Sequence, residues 1–220
     1  MINRIQFKVC GLKTLADARS SEQVGADFLG FNFYEKSPRY ISLEDYGKIA
    51  DKLPKISRVA VSVNSDLDTL KRFEEAGLDF FQIHFKQDED GVARAKAWSE
   101  TVGPDRLWLA PKIAPHESFD LELLQFADTI QWDAFKEDAY GGTGKVSDWE
   151  SFGKLKQQYP ETRWVLAGGL GPENLKEAFE STGALVFDFN SKVELAPGQK
   201  DPKALQAVKE GLGLLQISSK

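Results

Sequence analysis

In "IQFKVCGLKTLADARSSEQVGADFLGFNF" (5–33), a β-branched and aromatic run at 5–10 gives way to an amphipathic segment at 14–24, then to a second such run at 27–33. This reads as strand, helix, strand. The same alternation continues outward along the whole chain. Further strands are expected at 58–64, 79–84, 106–113, 129–133, 163–169 and 184–190. Helices are expected at 43–53, 66–76, 89–101, 118–127, 149–158, 173–182 and 202–213. Sustained βα alternation calls for parallel strands, because each crossover must return the chain to the same end of the sheet. Eight units in this length predict an α/β fold of one domain over 1–220, a closed (β/α)8 TIM barrel. An open doubly wound sheet is the rival. It normally carries a glycine-rich dinucleotide turn after its first strand, and the turn here, "CGLKT" (10–14), lacks the spaced glycines.

Alternating parity separates the two faces of each strand. Ile5, Phe7 and Val9 share one face of the first strand, and Gln6, Lys8 and Cys10 share the other. Phe81 and Ile83 oppose Gln82 and His84, and Ile130 and Trp132 oppose Gln131 and Asp133. Helices cover the outside of a barrel, so the apolar faces should point outward and the mixed faces into the lumen. Cys10, His84 and Asp133 would then stand at the C-terminal mouth, where this architecture collects its chemistry.

Composition restricts the partners. Of 220 residues, 41% are hydrophobic and 28% charged, with a formal net charge of −6 and no block of Lys or Arg. No nucleic-acid or anionic-membrane partner is expected from that balance. No apolar run approaches a membrane span, and "MINRIQFKVC" is too short in apolar residues for a signal peptide. The single cysteine forbids an internal disulfide and fits a cytoplasmic location. The two histidines, His84 and His116, lie in no ligand-spaced cluster, so no metal site is expected. A monomer or a homodimer is expected, and nothing in the sequence chooses between them.

Three loops after strands stand out. "FYEKSPRYIS" (33–42) carries Lys36 and Arg39 beside Pro38. "AFKEDAYGGTGKVSDW" (134–149), the longest connection, contains Gly141, Gly142 and Gly144, and long loops of compact domains often bind or cover ligands. It is not a P-loop: Ala139 and Val146 stand where that motif needs Gly and Ser or Thr. "GGLGPENL" (168–175) places glycines before a helix, with Pro172 at its expected first position. Such glycines let backbone N–H groups approach an anion, so the loop reads as half of a phosphate cradle. Each residue taken singly has a plainer reading. Cys10 suits a core, Asp133 a turn cap, Arg39 a surface ion pair and His84 a hydrogen-bonded interior. Their common placement at one mouth favours a site.

In order along the chain, "KVCGLK", "GADFLGFNFYEKSPRYIS", "VAVSVN", "FFQIHF", "WDAF…GGTGKVSDW", "LAGGLGPENL" and "FDFNSKVELAPGQKD" resemble the phosphoribosylanthranilate isomerase family of tryptophan biosynthesis. The resemblance implies an Amadori rearrangement of N-(5′-phosphoribosyl)anthranilate, an aldose–ketose isomerisation, with neither cofactor nor metal. It places the family's cysteine base on Cys10 and its aspartate acid on Asp133. The arginine facing the anthranilate carboxylate falls on Arg39, and the strand-eight aspartate near the substrate on Asp188. His84, at the same mouth, is expected among the substrate-binding groups. Phosphate contacts fall on Gly168, Gly169, Asn190 and Ser191. Several positions depart from the family pattern. Lys192 replaces a glycine: it would strain the loop if a positive φ were needed there, or its ammonium would reach the phosphate. Phe85 replaces a glycine and is expected to put its ring near the mouth, and Ser62 replaces a phenylalanine. Two other readings stay open: a barrel that isomerises another phosphosugar amine, and a non-catalytic binder of a phosphorylated ligand.

Overall fold

The structure, a computed structural model, describes residues 1–114, 117–134 and 148–216. Eight parallel strands close into a barrel in sequence order: β1 (Gln6–Val9), β2 (Phe28–Asn32), β3 (Ser57–Val63), β4 (Phe80–Lys86), β5 (Leu107–Lys112), β6 (Thr129–Trp132), β7 (Arg163–Leu166) and β8 (Val186–Phe189). Closure is made by β1 against β8, in a register that sets Lys8 beside Asp188. Among the described residues seven α-helices lie outside: α1 (Leu15–Gln23), α2 (Leu43–Ala50), α3 (Leu67–Glu75), α4 (Gly91–Val102), α5 (Trp149–Gln158), α6 (Leu175–Thr182) and α7 (Pro202–Leu214). Among the described residues no helix is long and apolar enough to cross a membrane.

Local chemistry starts these helices where they start. Thr14, Ser42, Asp66 and Asp148 each accept a hydrogen bond from the backbone N–H three residues on, satisfying a donor that the first turn leaves open. Asp201 caps α7, with Pro202 directly after it. Two expected features differ. The segment expected as a helix over 118–127 is only a 3₁₀ turn, Leu121–Gln125. Asp120 caps it late and β6 begins at Thr129, so no room remains for further α-helical turns. Pro172 does not begin α6; it lies in the preceding turn, and Asn174 holds the cap position.

The parity reading holds on every strand it addressed. Phe7, Val9, Phe81, Ile83, Ile130 and Trp132 belong to the core between sheet and helices. Cys10, Phe28, Val59, Val61, Trp108, Val165 and Val186 form a separate cluster inside the barrel. Its floor is aromatic: Phe28 meets Trp108 at 5.1 Å and Phe80 at 5.7 Å between centroids, edge to face in both cases. Phe85 corrects an expectation. It shares the outward parity of Phe81 and packs against Trp98 of α4 at 5.3 Å, away from the mouth. Ser62 likewise shares the outward face of Ala60, and its hydroxyl oxygen accepts a hydrogen bond from Ser65 at 2.7 Å.

After β8 the chain forms a 3₁₀ turn, Ser191–Val193, and a small antiparallel hairpin, β9 (Glu194–Ala196) and β10 (Gln199–Lys200). The alternation rule did not foresee this hairpin. It folds over the barrel mouth and carries two charged side chains there, Glu194 and Lys200.

Candidate active site

Above the aromatic floor lies a polar layer. The Lys8 side chain is wholly buried, and its ammonium donates to Asp188 Oδ2 at 2.7 Å and Gln82 Oε1 at 2.6 Å. Gln131 Nε2 donates to the same Asp188 oxygen at 3.0 Å. Burial opposes the ammonium, but the carboxylate of Asp188 and the sulfur of Cys10 outweigh it, and the pKa of Lys8 is raised. Gln82 and Gln131 were legible as lumen residues by parity. Their task as partners of this ion pair was not. Asp188 Oδ1 and Gln131 Oε1 are buried acceptors with no donor among the described residues. In the lumen of a site, such atoms are waiting for hydroxyl or water donors.

One layer higher stand the three groups assigned to the mouth. Cys10 follows β1 and is 4% exposed. Burial pushes its thiol pKa up, while Lys8 and Lys200 pull it down and Lys8 hydrogen-bonds to it. Gly30 makes this approach possible: a Cβ there would lie 2.8 Å from Lys8 Cε and 3.0 Å from Cys10 Sγ. Asp133 follows β6, partly buried, and its Oδ1 accepts from the N–H of Ala134 at 2.7 Å. Burial pushes its pKa up to about 6; the Ala134 hydrogen bond and Lys8 oppose the rise, and Asp188 adds to it. His84 accepts at Nε2 from the Gln82 amide at 2.8 Å, because Gln82 Oε1 is already taken by Lys8. Its ring is therefore neutral, and burial with the charge of Lys8 holds its pKa down to about 3. Cys10 and Asp133 follow β1 and β6 on the parity that points into the lumen, and the Lys8–Asp188 pair acts on the proton affinity of both.

Arg39 is buried, against the reading of it as a surface ion-pair partner. Its Nε donates to both carboxylate oxygens of Glu194 at 3.0 Å, and Nη2 to Oε2 at 2.6 Å. The forked side edge of the guanidinium is thus used within the protein. The end edge, with Nη1, makes no hydrogen bond among the described residues. The aliphatic stem of Arg39 crosses Gly11: a Cβ there, at φ +75°, would come within 2.6 Å of Arg39 Cδ. Neither Glu194 nor Lys200 was singled out from sequence. The only local signal was the turn "APGQ" between two charged residues.

The loops after β7 and β8 meet. Gly168 and Gly169 have φ of +88° and +62°, a region that favours glycine, and a Cβ on Gly168 would lie 2.6 Å from the Ala134 nitrogen. Asn174 ties this loop, accepting from Gly171 N–H at 2.9 Å and donating to the Gly169 carbonyl at 3.0 Å. Among the described residues, the N–H groups of Gly168, Gly169 and Ser191 have no protein acceptor. Asn190 turns its side-chain oxygen to Lys200, which donates to it at 3.2 Å. Lys192 is not among the positive-φ residues, so no strain follows from the lost glycine. Its ammonium pairs with Glu173 at 3.1 Å, both side chains being exposed. Gly141, Gly142, Gly144 and His116 lie outside the described residues.

Comparison with known proteins agrees in extent and in kind. A family model described as N-(5'phosphoribosyl)anthranilate (PRA) isomerase matches residues 7–210. The N-(5'-phosphoribosyl)anthranilate isomerase of Syntrophus aciditrophicus (strain SB) is 36% identical over 210 residues, spanning 92% of this chain and 85% of that protein. The phosphoribosyl anthranilate isomerase of Thermus thermophilus superposes with a TM-score of 0.79 at 28% identity, over 96% of this chain and 100% of that one. A phosphoribosyl anthranilate isomerase in complex with reduced 1-(o-carboxyphenylamino)-1-deoxyribulose 5-phosphate gives a TM-score of 0.72 at 29% identity, with the same coverage of both chains.

Proposed function

This chain belongs to the N-(5′-phosphoribosyl)anthranilate isomerase family and is an isomerase of tryptophan biosynthesis, and from that premise we propose that Asp133 and Cys10 perform its two proton transfers. The observation that supports this reading is their placement: Cys10, in the lumen cluster, and Asp133 directly follow β1 and β6 at the C-terminal end of the barrel, above the buried Lys8–Asp188 pair. Asp133, with a pKa of about 6, keeps a usable protonated fraction near neutrality and delivers that proton to the furanose ring oxygen. The C1–O bond breaks and the anthranilate nitrogen takes up the positive charge as an iminium. The iminium acidifies the C2 proton, which the Cys10 thiolate removes to give an enolamine. Its ketonisation places a proton on C1 and yields 1-(2-carboxyphenylamino)-1-deoxyribulose 5-phosphate.

Binding is distributed around that pair. The end edge of Arg39 takes the anthranilate carboxylate. Asp188 Oδ1, which lacks a donor, accepts from a sugar hydroxyl, and neutral His84 lines the same wall. The free N–H groups of Gly168, Gly169 and Ser191 hold the phosphate, with the backbone at Asn190 beside them. Lys192 contributes charge from the rim after leaving Glu173, since an exposed ion pair binds little. A cytoplasmic location rests on the one cysteine, which admits no internal disulfide. The test is to generate phosphoribosylanthranilate and follow the loss of its fluorescence with wild type, Cys10→Ala and Asp133→Ala. Turnover that collapses in both variants is the expected result. Wild-type turnover retained in either variant removes that residue from the mechanism.

A further inference from the structure

One buried cation has no task in the mechanism above. The side chain of Lys200 is fully enclosed, and its ammonium donates to Glu194 Oε1 at 2.8 Å and to Asn190 Oδ1 at 3.2 Å. Glu194 is already engaged on both oxygens by Arg39, and the Gly198 N–H adds a further bond at 3.1 Å. One carboxylate therefore faces two cations. The Lys8–Asp188 pair is balanced in itself, so the surplus lies at Arg39 and Lys200; the Arg39 stem and Asn190, which Lys200 holds, close over Gly11, the residue after Cys10. A surplus charge taken out of water is costly and draws its counterion from whatever ionisable group is near.

The candidates for that counterion are few. Cys10 directly follows β1 and shares the lumen-facing parity of Lys8. His84 on β4 is neutral and cannot supply negative charge. Asp133 after β6 responds to Lys8 and Asp188 but not to Lys200. Asn190 after β8 is uncharged. It bridges the two halves, because its Oδ1 accepts from Lys200 and would lie 2.8 Å from a Cβ on Gly11, the residue after Cys10. Burial and Asp188 raise the proton affinity of the thiol, and Lys8 and Lys200, from β1 and β10, lower it.

We propose that Lys200, held by Glu194 and Asn190, is a positioning residue for the base: its ammonium stabilises the Cys10 thiolate that removes the sugar proton. The hairpin after β8 thereby serves the proton-transfer step while touching no reacting atom. This inference rests on Cys10 being the base, and the two are separable. The thiolate is titrated by its ultraviolet absorbance in wild type, Lys200→Met and Lys200→Gln, with Cys10→Ala as the blank. The pH dependence of kcat/KM is measured alongside. Lys200→Gln keeps a hydrogen-bond donor for Glu194 and stands in where Met disturbs folding.

In either Lys200 variant the thiol titration and the upper limb of kcat/KM should move up by about one pH unit or more. The activity plateau should fall about tenfold, in kcat more than in KM, and Lys200→Arg should restore most of it. A thiol titration that stays in place in folded Lys200 variants overturns the proposal. An active Cys10→Ala removes the base assignment instead, and with it the catalytic role given to Lys200.

Discussion

The floor and the mouth of this barrel are built from the same strands, a few residues apart, by opposite rules. At the floor, Phe28, Phe80 and Trp108 interlock edge to face, and Arg163 covers Phe28 from the bottom at 5.9 Å. These rings are held chiefly by buried area and shape, with the Lys8 ammonium 5.8 Å from the Trp108 centroid where the polar layer begins. At the mouth, Cys10 and Asp133 carry displaced pKa values beside the Lys8–Asp188 pair, and acceptors are left without donors among the described residues. The difference shows where stability is spent: burial at the mouth shifts the proton affinities that the proposed proton transfers would use.

Substitutions can break that comparison, and the largest effect is expected at the acid. Asp133→Asn should lower kcat/KM by about 10²- to 10⁴-fold, the range of a general acid. It should also stabilise the fold. The folded pKa of about 6 exceeds the ordinary carboxylate value, so the folded state holds the proton more tightly. Wild-type stability must then fall as pH rises from about 4 to about 6. Asp133→Asn should melt higher than wild type at pH 8, by up to ~3 kcal/mol, with the gap closing below pH 4. A variant less stable at pH 8 would remove the mouth's cost from the comparison. Trp108→Ala is the opposite case. It should cost roughly 3–5 kcal/mol in chemical denaturation while leaving the pH profile of the remaining activity unchanged.

The pH profile sharpens the same point. In the proposed mechanism the reactive form carries protonated Asp133 and ionised Cys10, yet Asp133 is pushed up to about 6 and burial holds the thiol above its ordinary value. Above about 6, loss of the acid and gain of the base cancel. The rate constant kcat/KM should therefore rise to about pH 6, stay level, and fall only where the thiol itself ionises. The lower break should vanish in Asp133→Asn. Next in size is Gly168→Ala, which places a methyl against Ala134 and 3.1 Å from Asp133 Oδ1 at a φ of +88°. Strain of about 1 kcal/mol and at least tenfold lower activity are expected, read by thermal melting and kinetics. The smallest effect belongs to Lys192→Ala. Its exposed pair with Glu173 is worth under ~1 kcal/mol, so only a modest rise in KM should follow.

Much of this was legible from the chain alone. Alternation of short apolar runs with amphipathic ones specified eight units. Parity placed Lys8, Cys10, Gln82, His84, Gln131 and Asp133 in the lumen, because strand periodicity is a local property. The 3₁₀ turn over Leu121–Gln125 and the outward turn of Phe85 were misread, since the first depends on the space left between β5 and β6 and the second on extending β4 to Lys86. The buried charge network was not legible at all. Lys8 and Asp188 are 180 positions apart, and Arg39 and Glu194 are 155 apart. No window of sequence relates such residues; closing β1 on β8 does. The order of elements, the two faces of each strand and the family motifs were thus determined by sequence, through rules that act over a few residues. Which cation faces which carboxylate, and hence the proton affinities at the mouth, was decided only by closure of the cylinder, because Coulomb interactions depend on distance in space and on exclusion of water.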